Sequence, residues 1–284
     1  MIKIKIPGST ANLGPGFDTL SMAIDMYLHV SCKRNEISRI VNISQMYITE
    51  DPAQNLITQV ISKVSKKYNK DIPLLYIEIN NEIPLERGLG SSSAAIIAGI
   101  MIADFYCELK MPKEMILETA GLFENHLDNL AASLYGNLNI INGNKSIQLN
   151  TVDSVKLTVF IPENYYTNTK TSRNVLPKMI ELDSVIQTIQ NCSAVIIYLT
   201  TNIELNFRLF QDVIHHPCRI IPGTESVFDY NCFISGSGPC IMHIWKGDGV
   251  SVSDINCILN KTGKWKSHVL KIDKLGAQYS LINE

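Results

Sequence analysis

The stretch from Leu74 to Ala103, LLYIEINNEIPLERGLGSSSAAIIAGIMIA, constrains the fold more than any other. Its first part alternates apolar and polar residues, as a half-buried strand does. A turn-rich segment with Pro84, Gly88 and Gly90 follows. From Ser91 the chain reads as a helix that is apolar nearly all round, with a serine available as its N-cap. A helix without a polar face must lie inside the protein, so the other elements have to be built around this unit. Strand, glycine-rich loop and helix is also the context of a phosphate loop, because the N–H groups and positive dipole end of a helix start attract anions. The Walker pattern G-x-x-x-x-G-K-[ST] would place a lysine after its second glycine, yet here Ser91 follows Gly90. The dipole alone is worth only about 0.3–1 kcal/mol at an exposed site. A nucleotide held here therefore needs a metal and further donors, and without them the same residues are a tight turn and a helix cap.

The 284 residues, 45% of them apolar, suffice for two modest domains. The net charge is −2 and 18% of residues are charged, so no general attraction to nucleic acid or to an anionic membrane is expected. Seven scattered cysteines contain no C-x-x-C pair, which argues for reduced thiols in a cytoplasmic protein and against a zinc site or disulfide frame. MIKIKIPGST lacks the apolar region of a signal peptide. The apolar run from Ala94 to Ala103 is about half of the ~20 residues a membrane span needs.

Along the chain, MIKIKI reads as a strand ended by Pro7 and Gly8, followed by the loop STANLGPGFD. AIDMYLHV and RIVNIS are strand-like, and Asn55–Tyr68 has the apolar spacing of an amphipathic helix. PKEMILETAGLFENHL begins another helix, with Pro112 near its first turn. LNII, SIQL, VKLTVFI, SAVIIYL, CFIS and CIMHIW read as strands, with helices near Asn174–Gln190 and Asn202–Ile214. Strands and helices mix without regular βαβ alternation, so the fold class is α+β. Two domains are expected, 1–151 and 152–284.

Three more concentrations could carry chemistry. In PGSTANLGPGFDTL, Asn12 and Asp18 stand six residues apart in a loop stiffened by Pro15. Such a loop could hold a small polar substrate, or it could be an ordinary turn-rich connection. FENHLDNLAASLYG gathers Glu124, His126, Asp128 and Asn129; on a helix Glu124 and Asp128 share one face, as do His126 and Asn129, although a surface charge pair is the plain alternative. SGSGP, from Ser235 to Pro239, lies between two apolar strands and alone reads as a hairpin turn.

In this order, PxxxANLGPGFD, PxxxGLGSSSA, E-x-H-x-x-N and G-S-G-P resemble the GHMP kinase superfamily. STANLGPGFDTLSMAI, TNTKTSRNVLP and the HHPCR run ending at Arg219 are similar to the homoserine kinase family within it. The matches span roughly residues 1 to 245. The resemblance implies a two-domain GHMP kinase fold, with an N-terminal ribosomal-S5-like domain and a C-terminal ferredoxin-like α/β sandwich. It implies an ATP- and Mg²⁺-dependent kinase that phosphorylates the side-chain hydroxyl of L-homoserine to O-phospho-L-homoserine in threonine biosynthesis, with a homodimer as the default assembly.

By the same resemblance, Pro84, Leu85, Glu86, Arg87, Gly88, Leu89, Gly90, Ser91, Ser92, Ser93 and Ala94 wrap the ATP phosphates, and Asn55 lies near the adenine. Ser92, or its neighbour Ser91, and Glu124 are the implied Mg²⁺ ligands, and the ion replaces the missing lysine. Asp18 suits the substrate ammonium, and Arg173 and Arg219 suit its carboxylate because a guanidinium binds it with two parallel hydrogen bonds. Asn12, His126, Asn129 and Thr169 orient the substrate. Glu124, Asn129 and Arg173 are the residues expected to act on the reaction itself. Asn129 stands where mevalonate-type relatives carry an aspartate base, and a carboxamide accepts no proton at neutral pH. Transfer is thus expected without a strong side-chain base, the hydroxyl proton passing to a phosphate oxygen.

Leu127 replaces the family's proline, Ser172 an alanine, and Ser21 and Asn137 glycines. The glycine replacements matter only where φ is positive, which Asn tolerates better than Ser. Other acceptors, mevalonate, a sugar or free threonine, and a catalytically silent relative remain alternatives. The Asp18, Arg173 and Arg219 set favours a zwitterion, and retention of Glu124 and the serines favours an active kinase.

Overall fold

The computed structural model describes residues 1–282 except 168, 204, 206, 207 and 248–251, and the side chains of 169–171 lie outside the description. The chain runs β1 (Ile2–Ala11), β2 (Leu20–Arg34), β3 (Arg39–Asn42), α1 (Leu56–Lys67), β4 (Leu75–Asn81), α2 (Ser91–Tyr106), α3 (Lys113–Ala120), α4 (Asp128–Tyr135), β5 (Leu138–Asn142) and β6 (Lys145–Leu149). There follow β7 (Lys156–Pro162), α5 (Thr169–Asn174), α6 (Leu182–Thr200), β8 (Cys232–Ile234), β9 (Ile241–Trp245), α7 (Val252–Leu259), β10 (Trp265–Leu270) and β11 (Gln278–Leu281). The mixture is the expected α+β architecture.

The first sheet has the order β11-β1-β2-β4-β3, with the β5–β6 hairpin added to β2. β2 shares its outer edge between two partners. Leu20–Met22 pair with β5, and Leu28–Arg34 pair with β4. Helix α2 packs on this sheet and against α1, α3 and α4. Its Ile97, Ile100 and Ile102 are fully buried, each worth about 1.5–3 kcal/mol of transfer free energy. Gly99 lets α1 approach closely, since a Cβ there would lie 2.7 Å from Val60 Cβ and 2.8 Å from the Ile57 carbonyl oxygen. In α1, Ile57, Val60, Ile61 and Val64 form the buried stripe, and Asn55 caps the helix by accepting from Ile57 N–H.

The second sheet, β10-β7-β9-β8, is antiparallel throughout. Its two faces follow the period of two along a strand. Leu157, Val159, Met242 and Ile244 join the main core, which includes Val195, Tyr198 and Leu199 of α6. Phe160, Ile241 and Cys232 face the other way, into a smaller cluster with Ile255 and Leu259 of α7. The 151/152 position falls between β6 and β7, while β11 crosses back to pair with β1.

Several local expectations are corrected. β1 does not stop at Pro7–Gly8 but continues to Ala11 through a register shift there. SAVIIYL is the C-terminal part of α6, not a strand. A short continuous apolar run cannot separate the two by periodicity, and the helical pattern from Leu182 simply carries through it. No helix occurs among the described residues of 202–214. The helix at Pro112 ends at Ala120, and residues 121–127 form the turn into α4, consistent with the weak helix propensity of Gly121 and Asn125. Glu124 and His126 are therefore turn residues and share no helix face with Asp128 or Asn129. Among the described residues no helix is long and apolar enough to cross a membrane.

Candidate active site

Three loops meet where β1, β4 and β8 end. Helix α2 begins after Gly90, which has φ +74° and sits at the N-cap, so no side chain caps the helix and the expected serine cap does not form. The first-turn N–H groups stay available to an external acceptor. The peptide of Gly88 packs under the β8–β9 turn, where a Cβ would lie 2.1 Å from the Ser235 carbonyl oxygen. The Ser235 hydroxyl donates to the Gly88 carbonyl (2.6 Å) and lies 2.9 Å from Thr10 Oγ1. Gly236 N–H donates to the Ala11 carbonyl (3.1 Å). Thus the phosphate-type loop, the end of β1 and the SGSGP turn form one unit, which no single segment predicts.

The β1–β2 loop is held in left-handed backbone at Asn12 (φ 70°), Leu13 (φ 44°) and Gly14 (φ 75°), and again at Asp18 (φ 53°). Buried Asn12 supports it from inside. Its Nδ2 donates to the Gly236 carbonyl (2.9 Å), and its Oδ1 accepts from Asp18 N–H (3.1 Å). This presents the Asp18 carboxylate to a wide cleft of roughly 2120 Å³. Single small-ligand sites commonly measure about 300–1,000 Å³, so two ligands can lie side by side. The cleft runs from the 45–49 loop and Asn55, past residues 84–93, to Glu124, His126, Asn129, Arg173 and Arg219.

Arg173 on α5 grips Asp18 with two hydrogen bonds, Nη1 to Oδ2 at 3.0 Å and Nη2 to Oδ1 at 2.6 Å. His126 Nδ1 lies 3.4 Å from the same carboxylate. Arg219 donates from Nε and Nη2 to the Ser172 carbonyl (3.2 and 3.1 Å) and from Nη1 to the Gly236 carbonyl (3.1 Å). Both guanidinium groups flank Phe17, at 5.3 and 5.5 Å from the ring centre. Burial, and then the charge of Arg173, lower the pKa of Arg219 from its ordinary value. Burial raises Asp128 to about 6, with the nearby Asp18 and Glu124 adding to the rise and the Asn129 N–H bond (2.7 Å) opposing it.

Other expected residues are placed less simply. The side chain of Asn55 is engaged by Ile57 N–H and by the Thr49 carbonyl (2.8 Å), so it shapes the cleft wall through its neighbours. Arg87, although in the phosphate-type loop, turns away from the loop's interior. It donates to the carbonyls of Glu163 (3.1 Å) and Tyr165 and stacks on Tyr166 at 3.7 Å, so it is not a substitute for the missing lysine. Ser92 is exposed on the first turn of α2, and Ser91 accepts from Asn81 Nδ2 (3.3 Å). Among the described residues the Ser92 hydroxyl and the Glu124 carboxylate have no hydrogen-bond or ion-pair partner, and both line the cleft. Thr169 begins α5, but its side chain lies outside the described residues. Of the family departures, Asn137 adopts φ 59°, whereas Ser21 lies within β2, and Leu127 keeps φ −85°.

Sequence reasoning singled out SGSGP and HHPCR as motifs but gave no role of their own to Ser235 and His215, and it missed Ser9. Ser9 and Ser235 act through contacts between distant segments, which no local pattern reveals. His215 is fully buried behind Phe17, with Nε2 3.1 Å from the Gly14 carbonyl and Nδ1 3.4 Å from Arg219 Nη1. Burial lowers its pKa to about 4, so it is neutral at pH 7 and braces the loop to Arg219. Asp212, His215 and His216 cluster closely enough to suggest a metal site. Yet Asp212 Oδ2 accepts three backbone N–H groups (3.1, 2.6 and 2.7 Å), and His216 Nε2 accepts from Ile234 N–H (3.1 Å). The cluster is a brace for this segment.

The sequence profile described as GHMP kinases N terminal domain matches residues 55–137. The chain is 35% identical over 260 residues to a homoserine kinase of Caldanaerobacter subterraneus subsp. tengcongensis, covering 86% of this chain and 83% of that protein. It is 34% identical over 266 residues to a homoserine kinase of Staphylococcus aureus, covering 85% and 86%. The crystal structure of homoserine kinase from Cytophaga hutchinsonii superposes with a TM-score of 0.81 at 25% identity, covering 98% of this chain and 97% of that one. Mevalonate kinase of Methanococcus jannaschii shares the fold, with a TM-score of 0.72 at 15% identity and coverage of 96% and 98%.

Proposed function

The chain belongs to the homoserine kinase family of GHMP kinases, and from that premise we infer that it phosphorylates the side-chain hydroxyl of L-homoserine with ATP, a step of threonine biosynthesis. The observation that carries the substrate assignment is the Asp18–Arg173 pair beside the phosphate loop. A carboxylate and a guanidinium that meet at the cleft can each take the opposite end of an amino-acid zwitterion. The Asp18 carboxylate binds the ammonium, and Arg173, with the remaining Nη2 proton of Arg219, binds the carboxylate. A sugar offers no such pair of charges.

Asn12 acts indirectly, by fixing Asp18 through Oδ1. His126 and Thr169 flank the substrate, and Asn129 holds its hydroxyl. The γ-phosphoryl group of ATP lies at the start of α2, where the uncapped N–H groups of the first turn hold phosphate oxygens. Ser92 and Glu124 are hard oxygen donors without partners among the described residues, a set that suits Mg²⁺. Bound there, the ion would offset phosphate charge in place of the absent lysine. The acceptor oxygen forms a bond to phosphorus as the bond to ADP breaks, and the hydroxyl proton passes to a phosphate oxygen. Asn129 is no base, so the protein contributes mainly by holding the reactants in line.

We also propose a cytoplasmic location, supported by seven unpaired cysteines, two domains over 1–151 and 152–284, and a homodimer as the commonest closed assembly. The substrate assignment is tested by ADP release from MgATP with homoserine, threonine, serine, mevalonate and galactose. Homoserine is expected to give the highest kcat/KM. Turnover confined to mevalonate or galactose would overturn the assignment, and none at all would point to a silent relative.

A further inference from the structure

Resting on the reading of Asn129 as the residue that holds the acceptor hydroxyl, we infer that Ser9 is a positioning residue that decides which end of the Asn129 carboxamide faces the cleft. Ser9 is fully buried on β1. Its hydroxyl lies 2.8 Å from Asn129 Oδ1 and 3.3 Å from the Asn129 backbone carbonyl, and the Ser133 hydroxyl donates to it from 3.5 Å.

A serine hydroxyl has one proton to give. The shorter contact sends it to Oδ1, which leaves both Nδ2 protons directed away from Ser9. Nδ2 donates to no protein group among the described residues, while Asn129 lines the cleft half-buried. The turned carboxamide would instead put Nδ2 beside Ser133 as a second donor to the Ser9 oxygen and leave the hydroxyl proton only the backbone carbonyl at the longer distance. The favoured orientation presents a donor to the cleft. Asn129 therefore offers the acceptor oxygen a donor for one of its lone pairs, rather than an acceptor for its hydroxyl hydrogen.

Ser9 also ties this group to the phosphate loop. Its N–H donates to the Leu89 carbonyl (3.0 Å), and its Oγ lies only 2.0 Å from where a Cβ on Gly90 would be. One residue thus sets both the carboxamide and the loop that precedes α2, and so helps fix the distance between acceptor and donor.

The test is a double-mutant cycle on kcat with Ser9→Ala, Asn129→Ala and the double variant, with KM for ATP and the unfolding midpoint measured on each. Ser9→Ala is expected to lower kcat about 3- to 10-fold, the scale of one neutral hydrogen bond, with KM for ATP within about twofold. In the Asn129→Ala background the same change should have no further effect on kcat. Equal losses in both backgrounds, or a loss confined to KM for ATP, would overturn the inference and assign Ser9 to the phosphate loop alone. If Asn129→Ala keeps full kcat, the reading of Asn129 itself falls and the inference with it. Ser9→Cys retains a weaker donor on a somewhat larger atom and covers the case in which Ser9→Ala does not fold. It should give an intermediate kcat, and an unchanged kcat would overturn the inference.

Discussion

Asp128→Asn isolates the energetic effect of a buried charge in the wall of the cleft. Asp128 is 4% exposed, and burial raises its pKa from 3.8 to about 6. The folded state therefore holds the proton more tightly than the unfolded chain between these values. The sign follows directly: as pH rises through this window the unfolded state ionises first, so stability falls, and the full penalty is present above the folded-state pKa. A difference of about 2 pH units at 1.36 kcal/mol each makes that penalty about 3 kcal/mol. Two-state linkage puts about 2 kcal/mol of it between about pH 4.5 and about pH 7.5. Asparagine keeps an oxygen for the Asn129 N–H bond (2.7 Å) but carries no charge. Any packing or hydrogen-bond offset is the same at both pH values and cancels in the comparison. The assay is urea unfolding of both proteins, without ligands, across this range. The stability of the variant relative to the parent should rise by about 2 kcal/mol from low to high pH. A constant difference, or one that shrinks as pH rises, would refute a buried, proton-retaining Asp128.

Two further substitutions probe the loops. Gly88→Ala should lower kcat/KM for ATP by about 100-fold or more, because its Cβ would strike the Ser235 carbonyl at 2.1 Å and part the two loops. Gly143→Ala, at φ 61° with open space around it, supplies the control: it should cost about 1–2 kcal/mol of stability without changing kcat, and equal kinetic effects at the two glycines would discard the contact argument. Asp18→Asn should raise KM for homoserine by about 10- to 100-fold, the scale of one charged hydrogen-bond partner, and leave KM for ATP near the parent value; a matching rise for ATP would move Asp18 to the nucleotide side.

Patterns confined to a few residues were legible without coordinates. Alternation in LLYIEIN and the apolar character of α2 placed the strand, the loop and the buried helix. The stripe of α1 was equally plain. Where a local pattern fits two structures, sequence reasoning failed. After its first serine SAVIIYL is a continuous apolar run without a period, so only the length of α6 and its packing through Val195, Tyr198 and Leu199 decide for helix. Gly90 shows the same limit at one residue: its φ of +74° moves the cap from a serine side chain to an uncapped glycine, which is what leaves the first-turn amides open.

By itself the sequence determined the α+β class, the order of the loops and the residue types that a phosphoryl transfer to an amino acid requires, because each of these is written within a short window or a recognisable motif. Only the tertiary structure decided how those residues are used. Arg87 supports a neighbouring segment rather than phosphate, Asp18 and Arg173 pair with each other at the cleft, and Ser9 reaches across 120 positions to Asn129. A hydrogen bond depends on direction and on a few tenths of an ångström between side chains. Those distances are set by how the sheets and helices pack, and no spacing along the chain encodes them.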